Sequence, residues 1–241
     1  MEWPISMLRH IESAGRALSD SEATDLLSRY GVVSHEELAG FAAFVGECGT
    51  PRSAYRMVDE HHGWLNRLAA LEHQAREARV YSQTLIPRFL RTSEYDAACP
   101  CPSTAGAPVT RPPVGAEHAT VLLESTVLSR PVGGRHILAD QLHRLLQIAD
   151  RGLVHIRIVP VNAQIYAPAA PLTALVLPGD VIVCASEDGD RITYRTGPAE
   201  TAGMRQFLRR AAAAALPDRA SRGLLEQARD AAAAGKLPAC L

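Results

Sequence analysis

Lysine is almost missing from this chain. Of the 25 basic residues among 241, one is Lys, at position 236, and all the others are Arg. Aromatic residues make up only 5%, and neither sign of charge dominates: the net charge is −1 and the isoelectric point about 6.8. That balance excludes a strong overall field toward nucleic acid or an anionic membrane, while leaving room for a local basic patch. The Arg excess goes together with Ala runs at 211–215 and 231–234. GC-rich coding produces both features, so no mechanism is read from either.

Other absences narrow the choice further. No apolar run reaches membrane-spanning length. The opening Met1-Glu-Trp-Pro4 carries an acid and is not followed by the apolar core of a signal peptide. Cysteine stands at 48, 99, 101, 184 and 240, an odd count. Reduced thiols in the cytoplasm are therefore expected rather than a disulfide framework. Cys99-Pro-Cys101 has no second Cys pair to complete a zinc site, and adjacent His61 and His62 diverge too far on a helix to share a metal. Nucleophile elbow, zinc-protease, kinase and dinucleotide fingerprints are all missing. No metal and no cofactor are expected.

What is present suits a folded protein. Hydrophobic residues form 47% and charged residues 21%, a composition that can bury a core. Two capping boxes mark helix starts in the first part of the chain. Ser19-Asp-Ser-Glu22 precedes a helix to about Tyr30, and Ser34-His-Glu-Glu37 opens another to about Cys48. The spacing of Trp64, Leu68, Leu71, Ala75 and Ala78 predicts a third helix over 63–80. A short helix over Thr84–Leu90 must hold Pro87 in its first turn, and Thr92-Ser-Glu-Tyr95 reads as one more start. Residues 99–117 contain five Pro and no apolar period, and read as a linker or long loop.

The second half alternates differently. Strands are expected at His118–Glu124, Leu153–Pro160, Leu172–Leu177, Asp180–Ala185 and Arg191–Arg195. Amphipathic helices are expected at Arg135–Asp150, Pro198–Ala215 and Asp218–Ala234. Val181-Ile-Val-Cys184 is apolar on both faces, as a central strand would be. The fold class is α+β: a helical N-terminal half, then a small mixed sheet packed with helices.

Several residues invite a functional reading beside a plain one. Glu124 falls at a strand end and Arg130 just before Gly133-Gly134, a junction where small residues give a ligand close backbone approach. Glu124 is thus a candidate acid or base, with a structural ion pair or cap as the plain alternative. Cys184, in an apolar strand, reads as a buried, inert thiol. Tyr81 and Tyr166 could line a pocket between the halves or simply fill the core.

Two stretches carry a family likeness. Leu71-Glu-His-Gln-Ala75, Tyr81, Leu85-Ile-Pro87, Leu90, Thr92 and Tyr95 are joined by Glu124-Ser-Thr-Val-Leu128-Ser-Arg-Pro-Val-Gly-Gly134, Gln141-Leu-His-Arg-Leu-Leu146 and Val159-Pro160. Together they resemble the WhiJ-like and antitoxin-like regulators, which join a Cro/repressor-type (XRE) helix-turn-helix to a C-terminal domain of unknown biochemistry. The likeness spans roughly residues 64–230. Trp3-Pro-Ile-Ser6-Met-Leu-Arg9-His-Ile-Glu12 is similar to that family's recognition helix, so the chain reads as beginning inside the DNA-binding domain.

The resemblance implies four regions: 1–50, a truncated helix-turn-helix remnant; 51–98, the helical part of an effector domain; 99–117, a Pro-rich loop or linker; and 118–241, an α+β effector domain. It makes Ser6 and Arg9 the candidate DNA contacts. Where the family has Gly and Gln, this chain has Arg88 and Arg91, a departure in the direction of anion binding. Tyr81, Arg88, Arg91, Arg130 and Tyr166 are then the candidate ligand-binding residues.

The implied function is a regulator-derived protein of the kind tied to secondary metabolism, with DNA binding weakened or lost. It would bind a small molecule or a small companion protein, and a homodimer is open to it. The alternative is a cofactor-independent biosynthetic enzyme that condenses or cyclises a natural-product precursor, with Glu124 as acid/base and Arg88, Arg91 and Arg130 as anion clamps.

Overall fold

The computed structural model describes residues 3–12, 18–29, 55–59, 64–99, 118–152, 154–166, 168, 170–188 and 191–236. The box at Ser34–Glu37 with its helix, His61 and His62, and the Pro-rich stretch from 100 to 117 lie outside them. The chain divides into two compact units, Met1–Met57 and Val58–Leu241.

The smaller unit holds helices α1 (Ile5–Glu12) and α2 (Asp20–Arg29), and a side-chain bond ties the residues just before α1 to α2. The indole N–H of Trp3 donates to Asp25 Oδ2 at 2.6 Å. The Ser19 box forms as its sequence implies. Glu22 Oε2 accepts the Ser19 N–H at 3.0 Å, and Ser19 Oγ accepts the Glu22 N–H at 3.4 Å, so two orphan donors at the start of α2 are satisfied reciprocally. Strand β1 (Tyr55–Asp59) straddles the division between the units.

The larger unit holds α3 (Trp64–Gln74), β2 (Glu77–Ser82), α4 (Ser93–Ala97), β3 (His118–Glu124), α5 (Arg135–Asp150) and β4 (His155–Val159). After them come β5 (Leu172–Leu177), β6 (Val181–Asp188), β7 (Arg191–Thr196), α6 (Pro198–Ala214) and α7 (Asp218–Ala233). The six strands lying wholly in this unit run in the order β7-β6-β5-β2-β3-β4. β2, β3 and β4 are mutually parallel, and β5, β6 and β7 run as antiparallel neighbours. This is the mixed sheet of an α+β protein.

The expected helix over 63–80 needs correction. It stops at Gln74, and Glu77–Ser82 is a strand between β3 and β5, at the centre of the sheet. Ala75 and Ala78 fit a helical stripe, but Ala78, Val80 and Ser82 also fit a period of two, and their burial follows the strand pattern. Pairing on both sides decides between them. The helix expected over Thr84–Leu90 shrinks to one 3₁₀ turn, Arg88–Leu90, with Pro87 as its N-cap.

Register places Tyr81, Leu122, Glu124, Val159, Leu172 and Cys184 on one face of the sheet. Helix α6 covers this face, and Tyr81, Leu122, Val159, Leu172, Leu208 and Ala211 form its buried core. α5 and α7 pack on each other and on β4 to close the other side. The free edge of β4 is covered too: Leu216 N–H donates to Ile158 O at 2.8 Å, and the buried Ser221 Oγ accepts Ile158 N–H at 3.0 Å. An edge closed in this way offers no template for another strand.

Candidate functional site

The parallel strands set up the site. Their carboxyl ends are Ser82, Glu124 and Val159, the side of a parallel sheet where loops form ligand crevices. The loop leaving β4 is tied down at both ends. Val161 N–H donates to the buried Ser125 Oγ at 3.1 Å, and Gln83 Nε2 donates to Pro168 O at 2.6 Å. This loop presents Tyr166, whose side chain is 95% exposed.

Beneath Tyr166 lies a groove of about 410 Å³. Its wall and floor are mostly apolar, with Leu172 of β5 and Met204 and Phe207 of α6. Arg195 of β7 and Ser186 of β6 are its polar groups, and Arg195 Nη1 reaches Ser186 Oγ at 3.5 Å. The size and the single cation on an apolar lining suit a small organic molecule.

Tyr81 supports this groove from behind. Its ring meets Phe207 edge-on, centroids 4.8 Å apart, and its hydroxyl donates to Glu124 Oε2 at 3.1 Å. Thr126 Oγ1 lies 2.9 Å from Glu124 Oε1 as donor. Both carboxylate oxygens are therefore engaged. Burial and then the Glu124 charge raise the Tyr81 hydroxyl well above the usual phenol range. Glu124 sits at the strand end, as its sequence position implies, but it holds Tyr81 and Thr126 rather than pairing with Arg130. Arg130 is exposed, at the end of the 3₁₀ turn Ser125–Ser129.

Arg88 and Arg91 sit elsewhere. They stand three residues apart on one short turn: Arg88 starts the 3₁₀ turn and Arg91 caps it. Both converge on Asp96, at 3.6 and 2.8 Å, with all three side chains about a tenth exposed (11, 9 and 11%). Arg91 Nε also donates to Ile86 O at 2.7 Å. Their charge is used in tying α4 to the preceding turn, and neither lines the groove. The Gly133-Gly134 turn also has an internal reason. A Cβ at Gly133 would lie 2.5 Å from that of Ala98. The exposed Ser6 and Arg9 lie on α1 of the smaller unit.

Two carboxylates escape a reading of the sequence. Glu72 is buried in α3, and burial, reinforced by Glu187 of β6, pushes its carboxyl up to about 8. Burial raises Glu187 as well, opposed by Arg91 and Arg88. The signal was there: Glu72 follows Leu68 by four residues and so lies on the apolar stripe. Cys184 is buried, and burial raises its thiol to about 11 despite Arg205 and Arg195 nearby. Among the described residues no group of His, Cys, Asp and Glu could hold a metal ion, and no helix is long and apolar enough to cross a membrane.

Comparison with known proteins gives one family likeness. Residues 109–227 match DUF5753, a domain of unknown function. The DUF5753 stretch runs through β3 to most of α7 and contains every residue lining the groove beneath Tyr166, whereas Tyr81, Arg88 and Arg91 precede it. Among solved structures there is a weak likeness to TrmBL2, an archaeal chromatin protein whose structure is described as showing a novel mode of DNA binding. It is 13% identical, covers 87% of this chain and 80% of that one, and has a TM-score of 0.36. No curated protein matches the chain.

Proposed function

We propose that the larger unit is the effector domain of a regulator-derived protein, and that it binds a small, mainly apolar molecule in the groove beneath Tyr166. An acceptor or anionic group of that molecule would meet Arg195. The groove itself carries this reading: an exposed aromatic lip over Leu172, Met204 and Phe207, with one guanidinium at the wall. An aromatic left 95% exposed gains nothing in the isolated fold, and a ligand stacked beneath it would supply the missing contact. The regulator part of the reading rests on the sequence likeness and on Ser6 and Arg9. A companion protein or a second copy of the chain is a further partner of the kind that likeness implies.

The test uses anilinonaphthalene sulfonate, an apolar fluorophore with one anionic group. Its fluorescence should rise on the wild-type protein. Tyr166→Ala and Arg195→Gln should each weaken binding about fivefold or more, as expected for loss of a stacking wall or of a charge-assisted bond. Equal binding by all three proteins would remove the groove from consideration. For the DNA contact, duplex from the protein's own promoter region is titrated at about 50 and 200 mM salt. Weak binding that falls steeply with salt and is lost in Arg9→Ala is expected, and no binding at the lower salt would end the DNA part of the reading.

A further inference from the structure

Across α6 from the first groove, the same sheet face carries a second groove, of about 240 Å³. Arg79 of β2 forms one wall, and Arg205 and Arg209 of α6 form the other. Val176 of β5 and Leu208 of α6 supply apolar floor, and Glu77 is the one carboxylate among the lining residues. Three guanidiniums against one carboxylate leave an excess of two positive charges, in a chain whose net charge is −1.

The fold forces this concentration. Arg79 lies two residues before Tyr81 in the strand and so shares the face that α6 covers. Arg205 and Arg209 stand one turn apart, on either side of the buried Leu208. Like charges at that spacing repel. Other arginines do meet acids: Arg76 with Asp180, Arg91 with Asp96, Arg157 with Asp218. Among the described residues, Arg79, Arg205 and Arg209 take part in no ion pair. A cluster that raises the energy of the isolated fold, around a cavity with an apolar floor, is the arrangement an anionic ligand would relieve.

We propose that this groove is a binding site for an organic phosphate. The three guanidiniums would fork to the phosphoryl oxygens, and a carbon body would lie on Val176 and Leu208. This groove shares no lining residue with the one beneath Tyr166, and different probes report on it.

Phenyl phosphate and inorganic pyrophosphate are titrated into the full chain by calorimetry, with sodium sulfate at matched ionic strength as a third arm. Both phosphates should bind, phenyl phosphate the tighter for its contact with the floor. The double variant Arg205→Gln/Arg209→Gln should weaken both by about tenfold or more, and Arg79→Gln by several-fold. Arg219→Gln, exposed on α7, should change neither. Glu77→Gln should tighten binding, a direction that a loss of fold would not produce. Arg79→Gln is on a different element from the double variant, so the reading survives if one of them fails to fold. Failure of both phosphates to bind, binding that the Arg variants leave unchanged, or sulfate binding as tightly as phenyl phosphate would each overturn the proposal. So would a short DNA duplex that binds through these three arginines while phenyl phosphate does not, since the groove would then be a polyanion surface.

Discussion

The phenol of Tyr81 and the carboxylate of Glu124 meet at 3.1 Å across two adjacent parallel strands. Register accounts for the meeting. Leu122 is the partner of Tyr81, and Glu124, two residues further on, returns to the same face. The contact links the core under α6 to the loops at the carboxyl ends of the strands, because Thr126 bonds to the same carboxylate and approaches Gln83 O at 3.2 Å. Gln83 in turn holds Pro168. One chain of contacts therefore runs from Phe207 to the loop bearing Tyr166.

Tyr81→Phe keeps the ring and removes the donor. The cost should be about 1–2 kcal/mol, or roughly 3–6 °C in melting temperature for a unit of this size. Glu124→Gln should cost less, and the double variant should lose less than the sum of the two. Differential scanning calorimetry on the four proteins checks this, and strict additivity would show that the two groups do not act together.

Much of the fold is legible in the residues. Helix α5 falls on Arg135–Asp150 because four leucines and an alanine keep one period over sixteen residues, with Gly134 at its cap. Strands β3 and β5 also fall on the expected residues. The central strand β2 is not legible, because Glu77–Ser82 follows a helix whose apolar stripe runs on through Ala75 to Ala78, inside the strand. Only its partners β3 and β5, distant in sequence, decide the matter. The site is less legible still. Tyr166 stands out as an aromatic in a loop, but Arg195, Met204 and Phe207 look like ordinary strand and helix residues until the sheet brings them under it. Arg88 and Arg91 look like a free pair because Asp96, which holds them, is read in sequence only as part of the next helix.

Gln141 offers a second test. Fully buried in α5, it accepts Thr92 N–H at 2.7 Å and donates to Leu90 O at 2.9 Å. One side chain thus satisfies two backbone groups of the turn leading into α4. Gln141→Leu fills the space but strands both. Each unpaired buried group costs about 1–3 kcal/mol, so urea unfolding should show a loss of at least ~2 kcal/mol. Gln141→Glu should lose less than Gln141→Leu only at acid pH, where the protonated carboxyl keeps an acceptor for Thr92 N–H and a donor for Leu90 O, and should lose more as the buried acid ionises. A neutral Gln141→Leu would mean that water replaces both bonds.

Gly133 and Gly152 separate close approach from backbone conformation. Both have left-handed backbones, at φ 69° and 66°. A Cβ at Gly152 meets nothing within 4 Å, while one at Gly133 would come within 2.5 Å of Ala98 and 2.7 Å of Ile137. Gly152→Ala should therefore cost only the conformational part, about 1 kcal/mol. Gly133→Ala should cost that and the clash, and exceed it by about 1 kcal/mol or more. Equal losses in urea unfolding would show that the turn yields freely around Ala98.

Glu72 sets the pH dependence. Its folded carboxyl is raised from the ordinary 4.5 to about 8, first by burial and then by Glu187. A raised value means that the folded state holds the proton more tightly than the unfolded chain does. The stability linked to this proton is fully present below about pH 4.5 and is lost as pH climbs through the range up to about 8. Glu187 is raised as well and acts in the same direction, while Arg88 and Arg91 oppose it. Glu72→Gln keeps the shape of the protonated acid and cannot ionise. The variant should match the wild type near pH 5 and be the more stable protein at pH 8–9, so the gap between their urea midpoints should open with rising pH. A gap that stays constant from pH 5 to 9 would show that Glu72 ionises in the folded protein as it does in the unfolded chain, and that the buried carboxylate has a partner strong enough to cancel its loss of water.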